Sequence, residues 1–193
     1  MHKNGSYIYL QLWALGRTAE ADVLKQEGGY PLVAPSAIPL PDHDTPRPLT
    51  IAEIRQYVQL FATAAQNAVH KAGFDGVEIH AANGYLPDQF LQTNTNTRTD
   101  EYGGPEVRNR VRFVLEVTDA VVGAVGADRV GIRLSPWSTF QGRWVCAESE
   151  TLVHIKWVAG WMTDAHLALP GPCCRYEDAR PGSDVYRTRD AHS

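Results

Sequence analysis

The sequence predicts an α/β fold in which parallel strands alternate with helices. Short strand patterns occur at residues 7–13, 77–80 and 130–135, and two long segments with helical periodicity separate them. Each strand pattern has one apolar face and one partly polar face. This order is typical of either a barrel or a doubly wound sheet, and periodicity alone does not choose between the two.

The first strand is indicated by alternation over residues 7–13. One face is apolar: Ile8, Leu10 and Leu12. The other face carries the remaining side chains: Tyr9, Gln11 and Trp13. A segment rich in Gly, Pro and Asp follows at 16–49 and is predicted to be a loop.

The first long helix is predicted to begin at a capping box formed by Thr50 and Glu53. Apolar residues then recur at helical spacing as far as Ala72, and Gly73 is a natural stop. The strand at 77–80 comes next.

A short helix is expected at 87–92, because proline suits the first turn of a helix. A second long helix is predicted over 105–125, where valines recur at helical spacing and Gly126 closes the pattern. The third strand follows at 130–135, with its apolar residues at alternate positions.

Polar side chains occupy the same kind of position in all three strands. They are Gln11 in the first, Glu78 and His80 in the second, and Arg133 and Ser135 in the third. A barrel keeps its active site at the C-terminal ends of its strands. We therefore expect these side chains to converge on a ligand, which favours the barrel.

The segment from Asp75 to Tyr85 carries the strongest chemical signal. Its strand ends at His80, and Asn83 and Tyr85 follow closely. His and Asn side chains can donate hydrogen bonds to a developing negative oxygen, and Tyr can deliver a proton. This combination suits chemistry on an unsaturated carbonyl or a phenol-like ring.

Long, ordered motifs in the chain resemble one known family. They are Gln11-Leu-Trp-Ala-Leu-Gly-Arg17, His80-Ala-Ala-Asn83-Gly-Tyr85, Gln89-Phe-Leu91, Asn96-Thr-Arg-Thr-Asp-Glu-Tyr-Gly-Gly104 and Gly131-Ile-Arg-Leu-Ser-Pro136. This set is similar to the Old Yellow Enzyme family, FMN-dependent and NAD(P)H-oxidising ene-reductases built on a TIM barrel. The likeness runs from about Ser6 to Gly142 and implies a partial TIM (β/α)8 barrel, with roughly strands three to five of eight.

The resemblance also implies roles for individual residues. His80 and Asn83 would hydrogen-bond the carbonyl or phenolate oxygen of the substrate, and Tyr85 would give a proton to its α-carbon. Gln11 and Arg133 would contact the polar edge of FMN. The implied reductant is NAD(P)H, and the implied substrate is a small unsaturated carbonyl compound.

Each of these roles has a structural alternative that the residues alone leave open. His80 could be a strand-end histidine bonded to backbone, and Tyr85 could be a half-buried packing residue. Arg133 could pair with Glu78 on the barrel wall, and Gln11 could be a solvent-exposed strand end. The loop at 94–104 is predicted to be a structural turn network rather than a phosphate cradle.

Composition argues against several other classes of protein. The net charge is −4 without a basic stripe, so no nucleic-acid partner is expected. The absence of an apolar run of about 20 residues and of a signal peptide argues against a membrane partner and favours a cytoplasmic location. The three cysteines do not make a disulfide framework, and the adjacent Cys173 and Cys174 are poorly spaced for zinc, so no metal is expected.

Residues 143–193 differ from the rest because they lack a βα rhythm. A helix over Thr151–Met162 is conceivable, and otherwise we expect a divergent tail that is out of frame or disordered. The first two and last two strands of the barrel are not found, so the chain is expected to be a fragment.

Two functions of different classes therefore stand side by side. One is the FMN-dependent oxidoreductase; the other is an inactive truncated fragment without bound flavin, at most an interaction module. Because TIM barrels often bind phosphate in the loops after strands seven and eight, we expect a chain without them to hold FMN weakly.

Overall fold

In the computed structural model, which describes residues 1–135, 138 and 140–142, strands alternate with helices along the chain. The strands are β1 (Tyr9–Leu12), β2 (Val33–Ala34), β3 (Arg47–Pro48), β4 (Gly76–Ala81) and β5 (Val130–Leu134). The α-helices are α1 (Ala21–Gly28), α2 (Ile51–Gln66), α3 (Leu86–Leu91) and α4 (Val107–Val125). Short 3₁₀ turns lie at His2–Asn4, Gly16–Thr18, Ala127–Arg129 and Phe140–Gly142, and a π turn extends α2 at Asn67–Lys71.

The main sheet is parallel and has the order β1-β4-β5. Its register aligns Gln11 with Glu78, and His80 with Arg133. Residues that are aligned across parallel strands project from the same face of the sheet, and side chains alternate along each strand. The predicted parallel α/β arrangement is therefore confirmed, and the polar sides of the three strands do form one face.

The opposite face is apolar and packs against α2 and α4. Val77 and Ile79 of β4 are completely buried there. The two helices contribute several large core side chains: Ile54, Val58 and Phe61 from α2, and Phe113, Val117 and Val121 from α4. Leu12 is buried on this face as predicted, but Leu10 remains 37% exposed. The reason is that β1 is the edge of the sheet within the described part of the chain, so its outer side is less covered.

Helix α2 begins at the predicted capping box. The Thr50 hydroxyl accepts the Glu53 N–H at 3.2 Å, and the Glu53 carboxylate accepts the Thr50 N–H at 2.8 Å. Arg47 donates to the other oxygen of this carboxylate at 2.7 Å. After the π turn the chain leaves the helix at Gly73, whose φ of 79° is left-handed, and the predicted stop is confirmed.

Helix α1 was not predicted, because it lies within the segment at 16–49 that reads as a loop. None of its residues is buried, so it lacks the wide apolar stripe by which helices are recognised. Its C-terminal signal is nevertheless present: Gly29 is left-handed, and its N–H and that of Tyr30 close the last turn. The tail predicted at 143–193, including its possible helix, lies outside the described residues. Within the described part, no helix is both long and apolar enough to cross a membrane.

The hydrogen bonds of the capping box imply that the stability of the fold depends on the ionisation of Glu53. The hydrogen bond from Arg47, and then those from Thr50, lower the pKa of Glu53 from its ordinary value of 4.5 to about 2. A lowered pKa stabilises the folded state above pH 4.5, and this contribution disappears as the pH falls through about 2. Glu53→Gln keeps a capping side chain but removes the charge.

We therefore expect Glu53→Gln to lower the free energy of unfolding near neutral pH, with a difference from the wild type that shrinks towards pH 2. Urea unfolding at a series of pH values measures this. Glu27→Gln, which changes an exposed residue of α1, is the matched control and should leave the pH dependence as in the wild type. A difference for Glu53→Gln that is independent of pH would contradict the assignment.

Candidate active site

Aromatic rings gather where β1 and β4 end. The Tyr85 ring lies edge-on to His80, with ring centroids 4.9 Å apart and planes at 73°. Trp13, directly after β1, also contacts the Tyr85 ring edge-on, with ring centroids 4.9 Å apart and planes at 85°. The alternation of residues 7–13 predicts Trp13 on the same face as Gln11, but it does not predict the contact with Tyr85. It joins the ends of two neighbouring strands through one tyrosine.

His80 is buried, with 5% of its surface exposed, although it belongs to the polar face of the sheet. Its Nδ1 atom is enclosed and has no hydrogen-bond partner among the described residues. Burial lowers the pKa of His80, and the charge of Arg133 lowers it further, while Glu78 raises it. The imidazole is therefore neutral at neutral pH, with one nitrogen as a donor and the other as an acceptor. An enclosed polar atom without a protein partner fits a site that binds a polar ligand.

A left-handed turn connects His80 to Tyr85. Asn83 has a φ of 57° and Gly84 a φ of 82°. Asparagine is among the few residues other than glycine that tolerate this region. The turn brings Tyr85 back towards the end of β4, which explains how residues five positions apart in the chain come into ring contact.

Helix α3 holds this turn with buried polar side chains. Gln89 is completely buried, and its amide donates to the carbonyl oxygens of Gly84 at 2.7 Å and Leu15 at 3.0 Å. Its carbonyl oxygen accepts the N–H of Arg17 at 3.2 Å. Gly16 passes so close to this amide that a side chain there would collide with it. Gln89 thus ties the turn after β4 to the loop after β1, a role that its position in the sequence did not reveal.

Gln11 and Arg133 are both exposed on the polar face. Gln11 donates to the Glu78 carboxylate at 2.5 Å, and among the described residues no carboxylate lies within ion-pair distance of Arg133. The alternative of an ion pair between Arg133 and Glu78 is therefore not observed. An open cavity of about 400 Å³ lies beside Arg133, lined also by Glu78, Ile132 and Leu134. An amide and a guanidinium on one open face are suitable donors for the polar edge of a flavin.

The loop after α3 is a hydrogen-bonded network, as predicted. The Asn96 amide donates to the carbonyl oxygens of Phe90 and Tyr102 at 2.7 and 2.8 Å. Arg98 donates to Leu49 and pairs with Asp100. Because these groups bond to protein, they hold the loop in a fixed structure. Within the described ranges, no three His, Cys, Asp or Glu side chains are grouped to hold a metal.

Comparisons with known proteins agree with this geometry. Chanoclavine-I aldehyde reductase fgaOx3 of Penicillium roqueforti is 62% identical over 143 residues, which cover 74% of this chain and 38% of that protein. A "probable inactive dehydrogenase easA" of Claviceps fusiformis is 57% identical over 143 residues, which cover 74% of this chain and 37% of that protein. Old Yellow Enzyme from Pichia sp. AKU4542 superimposes with a TM-score of 0.77 at 42% identity, over 86% of this chain and 46% of that structure.

The chain therefore spans less than half of each of these relatives, and the described part is a portion of an Old Yellow Enzyme TIM barrel. The boundary predicted at Gly142 stays a prediction. The family match covers residues 1–173 and shows that the chain belongs to the NADH:flavin oxidoreductase / NADH oxidase family, whose Old Yellow Enzyme members bind FMN and use NAD(P)H as reductant.

Proposed function

We propose that this chain carries part of the active site of an FMN-dependent oxidoreductase that reduces the activated C=C bond of an enone-like compound. The observation that supports it best is the buried His80 in ring contact with Tyr85, with an Nδ1 atom that has no partner within the described part of the chain. A hydrogen-bond donor and a proton donor lie together at the C-terminal end of a strand, where barrels place their chemistry.

The overall reaction would consume NAD(P)H, a proton and the enone, and release NAD(P)⁺ and the saturated carbonyl compound. FMN, when bound, would supply the hydride-transfer chemistry between NAD(P)H and the β-carbon of the substrate. The proton goes to the α-carbon, so the C=C bond becomes a single bond and the atoms balance. All other tasks belong to side chains of the protein.

His80 and Asn83 would bind the carbonyl oxygen of the substrate. Negative charge develops on that oxygen when hydride reaches the β-carbon, and positioned hydrogen-bond donors stabilise it. A neutral His80 can act as such a donor without giving up its proton to the oxygen beforehand. Its lowered pKa, caused by burial and by Arg133, is consistent with this role.

Tyr85 would donate the proton to the α-carbon. A phenol O–H can act as a general acid and give its proton to a carbon that becomes basic as hydride arrives. The Tyr85 ring contacts both His80 and Trp13, with ring centroids 4.9 Å apart in each pair.

Gln11 and Arg133 would hold the polar edge of FMN. A cation near the pyrimidine side of a flavin stabilises negative charge there. Both side chains lie on the polar face, and the cavity beside Arg133 leaves its guanidinium accessible. From the net charge of −4 we also expect no nucleic-acid partner, and we propose a cytoplasmic location without a membrane partner.

The second candidate function is a chain without catalytic activity, at most an interaction module. It is favoured by the relative from Claviceps fusiformis whose name contains "probable inactive". Flavin retention and enone reduction separate the two candidates.

The first prediction of the proposed function concerns His80. Because the charge of Arg133 lowers the pKa of His80 and that of Glu78 raises it, Arg133→Gln should raise this pKa and Glu78→Gln should lower it. Burial is the largest cause and remains, so the pKa should stay below its ordinary value in Arg133→Gln. NMR titration of the imidazole measures both shifts. Arg129→Gln, which removes an exposed arginine at the other end of β5, is the control, and shifts of equal sign in the two test variants would contradict the arrangement.

The second prediction concerns the cofactor. If the enzyme function holds, the 193-residue chain mixed with FMN and passed through a desalting column should keep flavin absorbance, and should oxidise NADPH faster when cyclohexenone is added. Arg133→Gln should retain less FMN than Arg129→Gln. A colourless chain, with no NADPH oxidation above that of free FMN, would support the inactive candidate instead.

The third prediction separates the two half-reactions. Tyr85→Phe should leave reduction of FMN by NAD(P)H nearly unchanged and slow the reduction of cyclohexenone by about 100- to 10,000-fold, the range typical for a lost general acid. Stopped-flow absorbance measures each half-reaction. Tyr9→Phe is the matched control, since Tyr9 lies at the other end of β1 on the same face, and it should affect neither step. Equal losses in both half-reactions for Tyr85→Phe would show that Tyr85 is not the proton donor.

A further inference from the structure

Two side chains from different elements bind the turn between His80 and Tyr85. The N–H of Asn83 donates to the hydroxyl of Ser135 at 2.6 Å, and the N–H of Gly84 donates to the carboxylate of Asp88 at 2.7 Å. Ser135 follows β5, whereas Asp88 lies in α3 and is 1% exposed. The N–H groups of two consecutive residues are thus held by side chains from two places, one directly after β5 and one in α3.

These bonds matter because the turn is unusual. Asn83 is a residue other than glycine with a left-handed φ of 57°, a conformation that persists only where the surroundings hold it. Backbone N–H groups in partly buried places also need acceptors. Without the two side-chain oxygens, both donors of the turn would lose these acceptors, and its left-handed geometry would lose a restraint at each residue.

The strand register explains why Ser135 reaches Asn83. His80 is aligned with Arg133, and Ala81 with Leu134, so the next position on β5 lies beside the residue that precedes the turn. Asp88 lies in the first turn of α3, where a carboxylate commonly accepts backbone N–H groups. Its second oxygen accepts the Gln92 amide at 3.1 Å, which fixes the orientation of the carboxylate.

We propose that Ser135 and Asp88 are positioning residues of this site: their side-chain oxygens hold the Asn83–Gly84 turn and thereby set the places of Asn83 and Tyr85 relative to His80. The catalytic meaning of this placement rests on the proposed function. The placement itself can be measured without flavin, so the two ideas can fail separately.

The first experiment compares amide hydrogen exchange in the 193-residue chain and in Ser135→Ala by NMR. A lost hydrogen bond should speed exchange of the Asn83 amide by about two- to tenfold, while the amides of Val77 and Ile79 in β4 stay unchanged. The cross-relaxation between the rings of Tyr85 and His80 should weaken. Ser135→Thr keeps a hydroxyl and should behave as the wild type.

The second variant is Asp88→Asn, which keeps one oxygen but presents an N–H group in place of the other. Exchange should then rise at Gly84 more than at Asn83, the reverse of the Ser135→Ala pattern. Ser6→Ala, an exposed serine ahead of β1, is the matched control for the loss of a hydroxyl and should change neither amide. The proposal is overturned if neither test variant changes its own amide, or if Val77 and Ile79 accelerate equally, because both residues would then serve general stability.

Measurements of enone reduction test whether the position of the Asn83–Gly84 turn affects catalysis. If the wild type reduces cyclohexenone, Ser135→Ala should slow that step several-fold, leave FMN reduction by NADPH intact, and be rescued by Ser135→Thr. A variant with altered amides but unchanged enone reduction would overturn the positioning role. If the wild type reduces no enone, the proposed function fails, and the ring contact between Tyr85 and His80 in the two variants still decides whether Ser135 and Asp88 position the site.

Discussion

The central strand β4 is the constraint on which the rest of this structure depends. Its apolar residues Val77 and Ile79 are fully buried against the helices, and side chains alternate along a strand. Burial of these two residues therefore forces Glu78 and His80 onto the other face. A slip of one residue would exchange the faces and place a carboxylate in the core, so the hydrophobic core itself determines where the polar site lies.

Polar side chains buried in α3 fix the positions of the loops relative to the sheet, because they bond to the backbone of those loops. Gln89 has no apolar role, yet it is completely buried and bonds the backbone of two loops that are far apart in the sequence. Burial of an amide is favourable only when its hydrogen bonds are made, so the loops and the helix must assume their positions together. The end of β1, the turn after β4 and the start of α3 thus form one unit, and that unit sets the backbone position of Tyr85, which caps α3.

The sequence predicted the regular elements well, because strands and helices that pack on a core carry their own periodicity. Helix α1 was not predicted because it has no buried side chain and therefore no apolar stripe. The Gly29 cap is its one sequence signal. In the site, the five residues singled out came from a resemblance and from their positions at strand ends. Ser135 accepts a hydrogen bond from Asn83, which lies 52 positions away, and Gln89 donates one to Leu15, which lies 74 positions away. Trp13 meets Tyr85 through a ring contact. No local pattern contains such contacts, since they follow from the strand register and from the path of the loops.

The strand register also places the charge of Arg133 where it can act on His80 and, in the proposed function, on the edge of FMN. Arg133 is aligned with His80, and its charge helps burial to keep the imidazole neutral. Glu78 opposes this effect and raises the pKa of His80. Its carboxylate accepts a hydrogen bond from Gln11, and the described residues contain no ion pair between it and Arg133. The guanidinium therefore keeps its charge directed towards the polar face. In the proposed reaction the same cation would hold the flavin edge and add to the effect of burial on His80, so loss of Arg133 would weaken cofactor binding and raise the pKa of this histidine together.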